Sequence, residues 1–409
     1  MPHALIFSPN SAGHRQVYVC VMADWFLRQG CEVTMAVGRS ESGVRADRNP
    51  MIAAVAARPG AAVVDLGETG ETNWTPGYWL PRLAELEAQA KPDWTVLPTG
   101  DDARHSLAGL GAAGRPLRTR RAALFIRVDH YYRRDLSTLH PLQRLGRSAR
   151  WMQHNLAERA YFREKAWKSL GLDAAMSTNI DFLRGSRDAR YRYMPEMYRA
   201  FVEPLHGPDP AMQCAVEECR TFLAAHSDKT PIVFFGGRYA RRGYDVLLKL
   251  VAEDEGFVFA ASGRPAANQA YRFDPDPLRS RLQAEGRVWE AETPFVAVNP
   301  LVDLLYGAAP FVLLPYTEQY CLTGTLVEAV ALGKPVLAPD IGWMGARIRE
   351  HGIGLTYRHR DLGDLRTKLA QLQADPTPYA ARAAAFGREF QRDRVDAALA
   401  AVFGDVSHA

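Results

Sequence analysis

The segment from Pro315 to Pro339, PYTEQYCLTGTLVEAVALGKPVLAP, constrains the fold of this chain more than any other stretch. Read in order, it predicts a strand end, a loop, a helix, a tight turn and a second strand. The helix begins at a small polar run, Thr323-Gly324-Thr325. It stops at Gly333, which suits a left-handed C-cap, with Pro335 just beyond. One acid, Glu328, sits among its apolar neighbours. A helix N-terminus exposes N–H groups and a partial positive charge, so it can hold a diphosphate without a metal. A carboxylate one turn further in is placed to accept hydrogen bonds from a ribose. The segment therefore reads as a cradle for a nucleoside diphosphate.

The rest of the chain repeats the same alternation. Ala4–Ser8, Cys31–Val37, Ala62–Leu66, Trp94–Pro98, Ala122–Val128 and Ala174–Ser177 are candidate strands, and Gln16–Gln29 is a largely apolar helix closed by Gly30. The Pro-rich stretch Glu203–Pro210 interrupts the pattern. Alternation then resumes, with strands expected at Pro231–Phe235, Phe257–Ser262, Arg287–Trp289, Pro310–Pro315 and Pro335–Ala338. Helices are expected near Tyr244–Glu253, Val302–Gly307, Thr323–Leu332 and Leu362–Ala374, and a last helical stretch covers about Pro378–Phe403. Strands buried on both faces argue for parallel sheets. The fold class is α/β, two doubly wound Rossmann-like domains, residues 1–203 and 211–375, followed by a C-terminal segment, 376–409. Small ligands favour the crevice between such domains.

A second anion-directed element opens the 211–375 domain: Phe234-Phe235-Gly236-Gly237-Arg238-Tyr239-Ala240-Arg241-Arg242-Gly243-Tyr244. Glycines let backbone approach a ligand closely, and guanidinium forks match phosphate oxygens. No Gly-Lys-Ser/Thr follows, so it is not a Walker loop. Taken with the Pro315–Pro339 segment, it resembles the retaining glycosyltransferases of family 4, the glycosyl transferases group 1, which have the GT-B architecture. That family has a Gly-Arg…Lys-Gly loop, and Gly237-Arg238…Arg242-Gly243 stands here at the same spacing with arginine for lysine. It also has a glutamate, seven residues, then Glu-Ala and Gly-x-Pro-Val; Glu328-Ala329 and Gly333-Lys334-Pro335-Val336 fit. The resemblance covers the second domain well and the first in outline.

One departure stands out. The position eight before Glu328 is Tyr320, and the nearest acid is Glu318, with nine residues between it and Glu328. Either the loop is longer by two and Glu318 serves, or Tyr320 replaces the acid. The resemblance implies that Arg238 and Arg242 neutralise the leaving diphosphate and that Thr323, Gly324 and Thr325 hold it through their amides. It implies that Glu328 binds the ribose and that the C-terminal helix packs back on the first domain. In that domain, Gly13 matches the glycine of a loop that closes over the donor phosphates. His130, at the end of the Ala122–Val128 strand, matches a histidine near the reacting sugar carbon. His14, beside Gly13, is a candidate for contact with phosphate or acceptor, and Asp101 and Asp102 are acceptor-side candidates; the alternatives are a helix start for His14 and a helix N-cap for the two aspartates.

Charge supplies the remaining expectations. Between Gly111 and Leu170 there are 14 Lys and Arg against 4 Asp and Glu, interleaved with Tyr131, Tyr132 and Trp151. A block of this kind suits an anionic membrane surface and a lipid-linked hydroxyl acceptor; a solvated face with paired charges is the bland alternative. No recognition motif for nucleic acid accompanies it. Asp274-Pro275-Asp276, the one D-x-D, lies in a polar stretch and reads as a turn, so no metal or other cofactor is expected. Five scattered cysteines without a C-x-x-C pair argue against a disulfide framework and fit a reducing cytoplasm, with peripheral attachment at the inner membrane face allowed. The expected activity is retaining transfer of a hexose-like unit from a nucleoside-diphosphate sugar to a hydroxyl. A sugar-nucleotide epimerase, a phosphorylase and a non-catalytic membrane-associated scaffold remain as rivals.

Overall fold

Apolar runs too short for helices become strands in the first half of the chain, and their order defines one sheet. These are β1 (His3–Ser8), β2 (Glu32–Val37), β3 (Ala61–Asp65), β4 (Trp94–Leu97), β5 (Arg120–Phe125), β6 (Ala174–Ser177) and β7 (Tyr191–Tyr193). The structure, a computed structural model, describes residues 1–9, 15–38, 49–67, 76–100, 119–125, 171–178, 183, 191–197, 210–266, 269–292, 300–317, 319 and 323–404. Within these, the strands lie in the order β3-β2-β1-β4-β5-β6-β7, and every pairing is parallel. The order reverses between β1 and β4, the place where doubly wound sheets open a crevice at the carboxyl ends of their strands. Helices α1 (Arg15–Arg28), α2 (Pro50–Ala56) and α3 (Pro76–Ala90) connect the first four strands. Helix α1 is buried from Gln16 to Phe26, which is why its sequence shows no polar stripe. Gly30 ends it in the left-handed region at φ 78. Strand β7 escaped the sequence reading because it is three residues long with exposed Arg192 in its middle.

The second half contains α4 (Pro210–Ala225), β8 (Thr230–Phe235), α5 (Tyr244–Glu253), β9 (Phe257–Ser262), α6 (Pro275–Ala284), β10 (Val288–Ala291) and α7 (Pro300–Ala308). It continues with β11 (Val312–Leu313), α8 (Gly324–Ala331), β12 (Val336–Pro339), α9 (Gly342–His351), β13 (Gly354–Tyr357), α10 (Leu362–Ala374) and α11 (Thr377–Gly387). Strands β10-β9-β8 and β11-β12-β13 form two parallel three-stranded stretches. One face of both is covered by a single apolar cluster that runs from Leu247 and Val251 of α5 through Leu282 of α6 to Leu365, Leu369 and Leu372 of α10. Asp274-Pro275-Asp276 is the start of α6 rather than a free turn. The Asp274 carboxylate accepts from the Asp276 N–H at 3.1 Å, and Pro275 occupies the first turn, where a missing N–H costs nothing. Helix α11 rests directly on α8: a Cβ on Gly387 would stand 2.1 Å from the Val330 carbonyl oxygen.

Contacts divide the chain into two compact units. One is built from Met1–His130, Leu139–His206 and Arg392–Ala409, the other chiefly from Gly207–Gln391. The chain end is thus shared: α11 belongs to the second unit, while α12 (Arg392–Phe403) belongs to the first. Charge and aromatic packing hold α12 there. Asp24, buried on α1, pairs with Arg28, Arg58 and Arg392, and Arg28 reaches Asp396 at 2.7 Å. The Phe403 ring lies 4.9 Å from both Trp94 and Phe26 and 5.7 Å from Trp25. Among the described residues, no helix is long and apolar enough to cross a membrane. Phe403 is 3% exposed, so Phe403→Ala is expected to cost about 3–5 kcal/mol. Urea denaturation followed by tryptophan fluorescence reports it through Trp25 and Trp94; a loss under about 1 kcal/mol would show that α12 is dispensable to this unit.

Candidate functional site

The loop after β8 and the residues after β11 meet at the carboxyl ends of their strands. Gly243, at φ 71, is the hinge of the contact. A Cβ on it would stand 2.3 Å from the Pro315 carbonyl oxygen, and the Thr317 N–H donates to the Arg241 carbonyl at 2.8 Å. Only glycine permits both the left-handed backbone and that approach.

Arg242 fills the space this creates. Its guanidinium lies 5.1 Å from the Phe234 ring centroid and 5.6 Å from that of Tyr316. It donates to the Phe235 carbonyl at 2.6 Å, to the Gly237 carbonyl at 3.4 Å and to the Tyr316 hydroxyl at 3.2 Å. A Cβ on Gly236 would stand 2.2 Å from its Nη1, so Gly236, at φ 103, makes room for the charge. The Tyr316 hydroxyl in turn lies 3.1 Å from Thr323 Oγ1 and 2.7 Å from Thr325 Oγ1, with 2.8 Å between the two threonine oxygens. Thr323 is the N-cap of α8, yet its side chain makes no cap hydrogen bond. Arg242 and the N-terminus of α8 are therefore joined through Tyr316, and the hydroxyl that would ordinarily quench the α8 amides is held elsewhere. Burial by itself would raise the pKa of Tyr316. Arg242 beside it, with the hydrogen bonds to Thr323, Thr325 and Arg242, outweighs burial and holds it below the ordinary tyrosine value. Glu328, one turn into α8, is 7% exposed.

Arg238 is placed differently. It is 6% exposed, and its Nη1 lies 3.3 Å from Glu290 Oε2 at the end of β10. The Tyr244 hydroxyl donates to the other Glu290 oxygen at 2.5 Å, and the Arg238 guanidinium lies 5.7 Å from the Tyr244 ring centroid. Burial, and next the Glu290 charge, push the Tyr244 pKa up, so it stays a donor. Among the described residues Arg238 makes no hydrogen bond to α8, and its buried Nε has no partner. Of the residues singled out in sequence, Arg242, Gly237, Thr323, Gly324, Thr325 and Glu328 thus share one corner of the second unit, with Arg238 one strand along. Gly13, His14, Asp101, Asp102, His130, Glu318 and Tyr320 lie outside the described residues. Sequence reading passed over Tyr316 and Gly236 as site residues. The Pro315-Tyr316 step and the first glycine of the pair were visible, but which groups they meet is a matter of packing.

No family model matches the chain. Among curated proteins, the D-inositol 3-phosphate glycosyltransferase of Nocardia farcinica is 34% identical over 155 residues, 36% of this chain and 33% of that protein. That of Rhodococcus jostii is 31% identical over 175 residues, 40% of this chain and 37% of that protein. The chain thus spans about a third of the length of these curated relatives. In three dimensions it matches the Anabaena protein HepE, solved in complex with UDP, with a TM-score of 0.63 and 14% identity over 98% of this chain and 99% of that one. It matches WaaG, a glycosyltransferase involved in lipopolysaccharide biosynthesis, with a TM-score of 0.62 and 14% identity over 98% and 100%. The chain has the GT-B fold. Sequence relatives named as glycosyltransferases agree with the resemblance read from the Gly237–Gly243 and Glu328–Val336 motifs. A UDP-GlcNAc 2-epimerase from Neisseria meningitidis shares the fold at TM-score 0.58 and 11% identity, over 98% of this chain and 99% of that one.

In this GT-B chain, Tyr316→Phe is expected to lose about 1–3 kcal/mol of stability at neutral pH, since Arg242 and two buried threonine hydroxyls lose a partner. The sign of the pH dependence follows from the lowered tyrosine pKa. The folded state releases that proton first, so the wild type gains stability over the variant as pH rises from the lowered value to about 10. Denaturant titrations across that range check both, and parallel wild-type and variant curves would remove the alkaline claim.

Proposed function

We propose that the chain is a glycosyltransferase that takes a sugar from a nucleoside-diphosphate donor and passes it to a hydroxyl acceptor. One observation carries the reading: Arg242 is wired through Tyr316 to the uncapped N-terminus of α8, and no carboxylate pairs with it among the described residues. A full positive charge and a set of backbone donors are thereby offered at one point, the arrangement a diphosphate leaving group needs. The sequence relatives and the GT-B neighbours seen with UDP support a nucleotide-sugar donor.

In the proposed reaction the bond from the anomeric carbon to the β-phosphate oxygen breaks, and its electron pair stays on that oxygen. The acceptor hydroxyl oxygen forms the new bond and its proton leaves to a base. Arg242 and the amides of Thr323, Gly324 and Thr325 stabilise the developing phosphate charge. Glu328 accepts from the ribose hydroxyls. The Arg238 Nε, without a partner among the described residues, offers a further donor, while Glu290 fixes that side chain. By resemblance, the reaction proceeds with retention, needs no metal, and uses His130 and Gly13 of the first unit at the sugar. The basic block between Gly111 and Leu170 supports a lipid-linked acceptor at an anionic membrane surface.

Arg242→Ala is expected to weaken binding of the matching nucleoside diphosphate by more than about tenfold, or about 1.4 kcal/mol. Calorimetry with uridine, guanosine and adenosine diphosphates measures this and identifies the base; unchanged affinity would falsify the reading. Because an epimerase shares the fold, products must also be followed. Consumption of a nucleotide sugar without any acceptor, yielding an isomer instead of free diphosphate, would favour the epimerase.

A further inference from the structure

The loop that carries Arg242 on one side forms the wall of a second recess on the other. Arg242, Tyr316 and Thr325 line one small cavity together. None of them lines the second, a recess of 650 Å³ bounded by Arg241, Asp245, Gln269, Arg272, Thr317 and Arg360 among others. That volume falls in the range of small-molecule sites. Its three arginines come from three separate segments of the second unit: the loop after β8, the approach to α6 and the turn after β13.

Charge in this recess is one-sided. Its one carboxylate among the described lining residues is Asp245, which is 1% exposed and committed to the backbone. Asp245 Oδ2 accepts from the Arg272 N–H at 2.9 Å and from the Phe273 N–H at 3.0 Å. Arg241 and Arg272 have no carboxylate partner among the described residues. Arg241 donates to Gln319 at 2.9 Å and lies 5.4 Å from the Tyr239 ring centroid; Arg272 donates to the Arg360 carbonyl at 3.1 Å. The neighbouring arginines on the same unit behave otherwise. Arg358 pairs with Asp361, Arg279 with Asp276 and Arg366 with Glu253. Arg360 is also one of two non-glycine residues in the left-handed region among the described residues, at φ 62, a conformation that costs about 1 kcal/mol or more and is kept where surrounding structure demands it.

The geometry points to this recess as a binding site for a phosphorylated ligand, separate from the donor diphosphate corner and coupled to it. Three arginines lining one hollow suit a phosphate group or diphosphate better than a single carboxylate. Coupling runs through the shared loop. The Ala240 N–H donates to Gln269 at 3.2 Å, the Thr317 N–H donates to the Arg241 carbonyl, and Arg242 is the next residue. Gln269 and Thr317 both line the recess. An occupant that draws in Arg241 therefore bears on the seat of Arg242. The recess is built from this unit's own arginines, and its occupancy does not require the proposed transferase activity.

The test uses the full chain and the double variant Arg272→Gln/Arg360→Gln, whose two side chains are exposed and lie outside the donor corner. Inorganic pyrophosphate is titrated calorimetrically into protein held at saturating nucleoside diphosphate, and sedimentation is run with phosphatidylcholine vesicles with and without phosphatidic acid. The wild type is expected to bind pyrophosphate, the phosphatidic acid vesicles, or both. The double variant is expected to weaken that binding by more than about tenfold, from two lost charge-assisted contacts, with nucleoside diphosphate affinity unchanged. Pyrophosphate binding alone marks a soluble phosphorylated ligand, and vesicle binding marks a headgroup. No binding in either arm, or equal binding by the variant, overturns the inference. Failure of the donor reading looks different: nucleoside diphosphate gives no heat, while pyrophosphate binding persists and still depends on Arg272 and Arg360.

Discussion

The seat of Arg242 is the constraint on which the second unit turns. A charged guanidinium can be half-buried only if its donors are satisfied and its face is covered. Here Phe234 and Tyr316 cover it, and two carbonyls and a hydroxyl take its donors. That requirement propagates outward. Gly236 must lack a side chain, Gly243 must take a left-handed backbone to reach Pro315, and Tyr316 must stand where its hydroxyl meets Thr323 and Thr325. The start of α8 is consequently fixed by a side chain of the preceding loop and not by its own N-cap. What this secures is a charge that stays uncompensated by any described carboxylate, at the end of a helix whose amides point the same electrostatic way.

The same eight-residue loop shows how context divides identical residues. Arg238, Arg241 and Arg242 have one side chain and three environments. Arg238 is sunk into a pair with Glu290, where removing either partner would strand a charge in low dielectric. Tyr244 completes that pair by donating to the second carboxylate oxygen, and burial keeps its proton on. Arg242 is held by rings and neutral oxygens. Arg241 stays in water on the far wall of the loop. Charge neutralisation, stacking and solvation are three distinct ways to keep a guanidinium, and each leaves a different amount of field for a ligand.

Much of the architecture was legible before any coordinates. Strand positions such as Phe257–Ser262 and Ala174–Ser177 follow from short apolar runs, and Gly30 and Gly333 end helices where glycine alone is comfortable. At the second of these, the Lys334 N–H reaches the Ala329 carbonyl and the Gly333 N–H that of Val330, a paired closure that the sequence Leu332-Gly333-Lys334 invites. Helices α2, α3, α4, α6 and α9 were less legible: α2 is a seven-residue run with no polar position to set a period, and a proline, Pro81, sits inside α3. Tyr191–Tyr193 gave no strand signal, since three residues cannot establish a period.

The sequence by itself determined the alternating α/β plan, the presence of an arginine-glycine loop and the helix that begins at Thr323, because these depend on local propensity and on spacing along the chain. Tertiary structure decided which arginine reaches that helix and which is bound to Glu290, that Tyr316 is the link, and that the last twelve-residue helix belongs with the first unit. The physical reason is range. A backbone turn or a cap is settled by neighbours within a few residues, whereas the fate of a long charged side chain is settled by whichever ring, carboxylate or carbonyl folding brings beside it from tens of residues away.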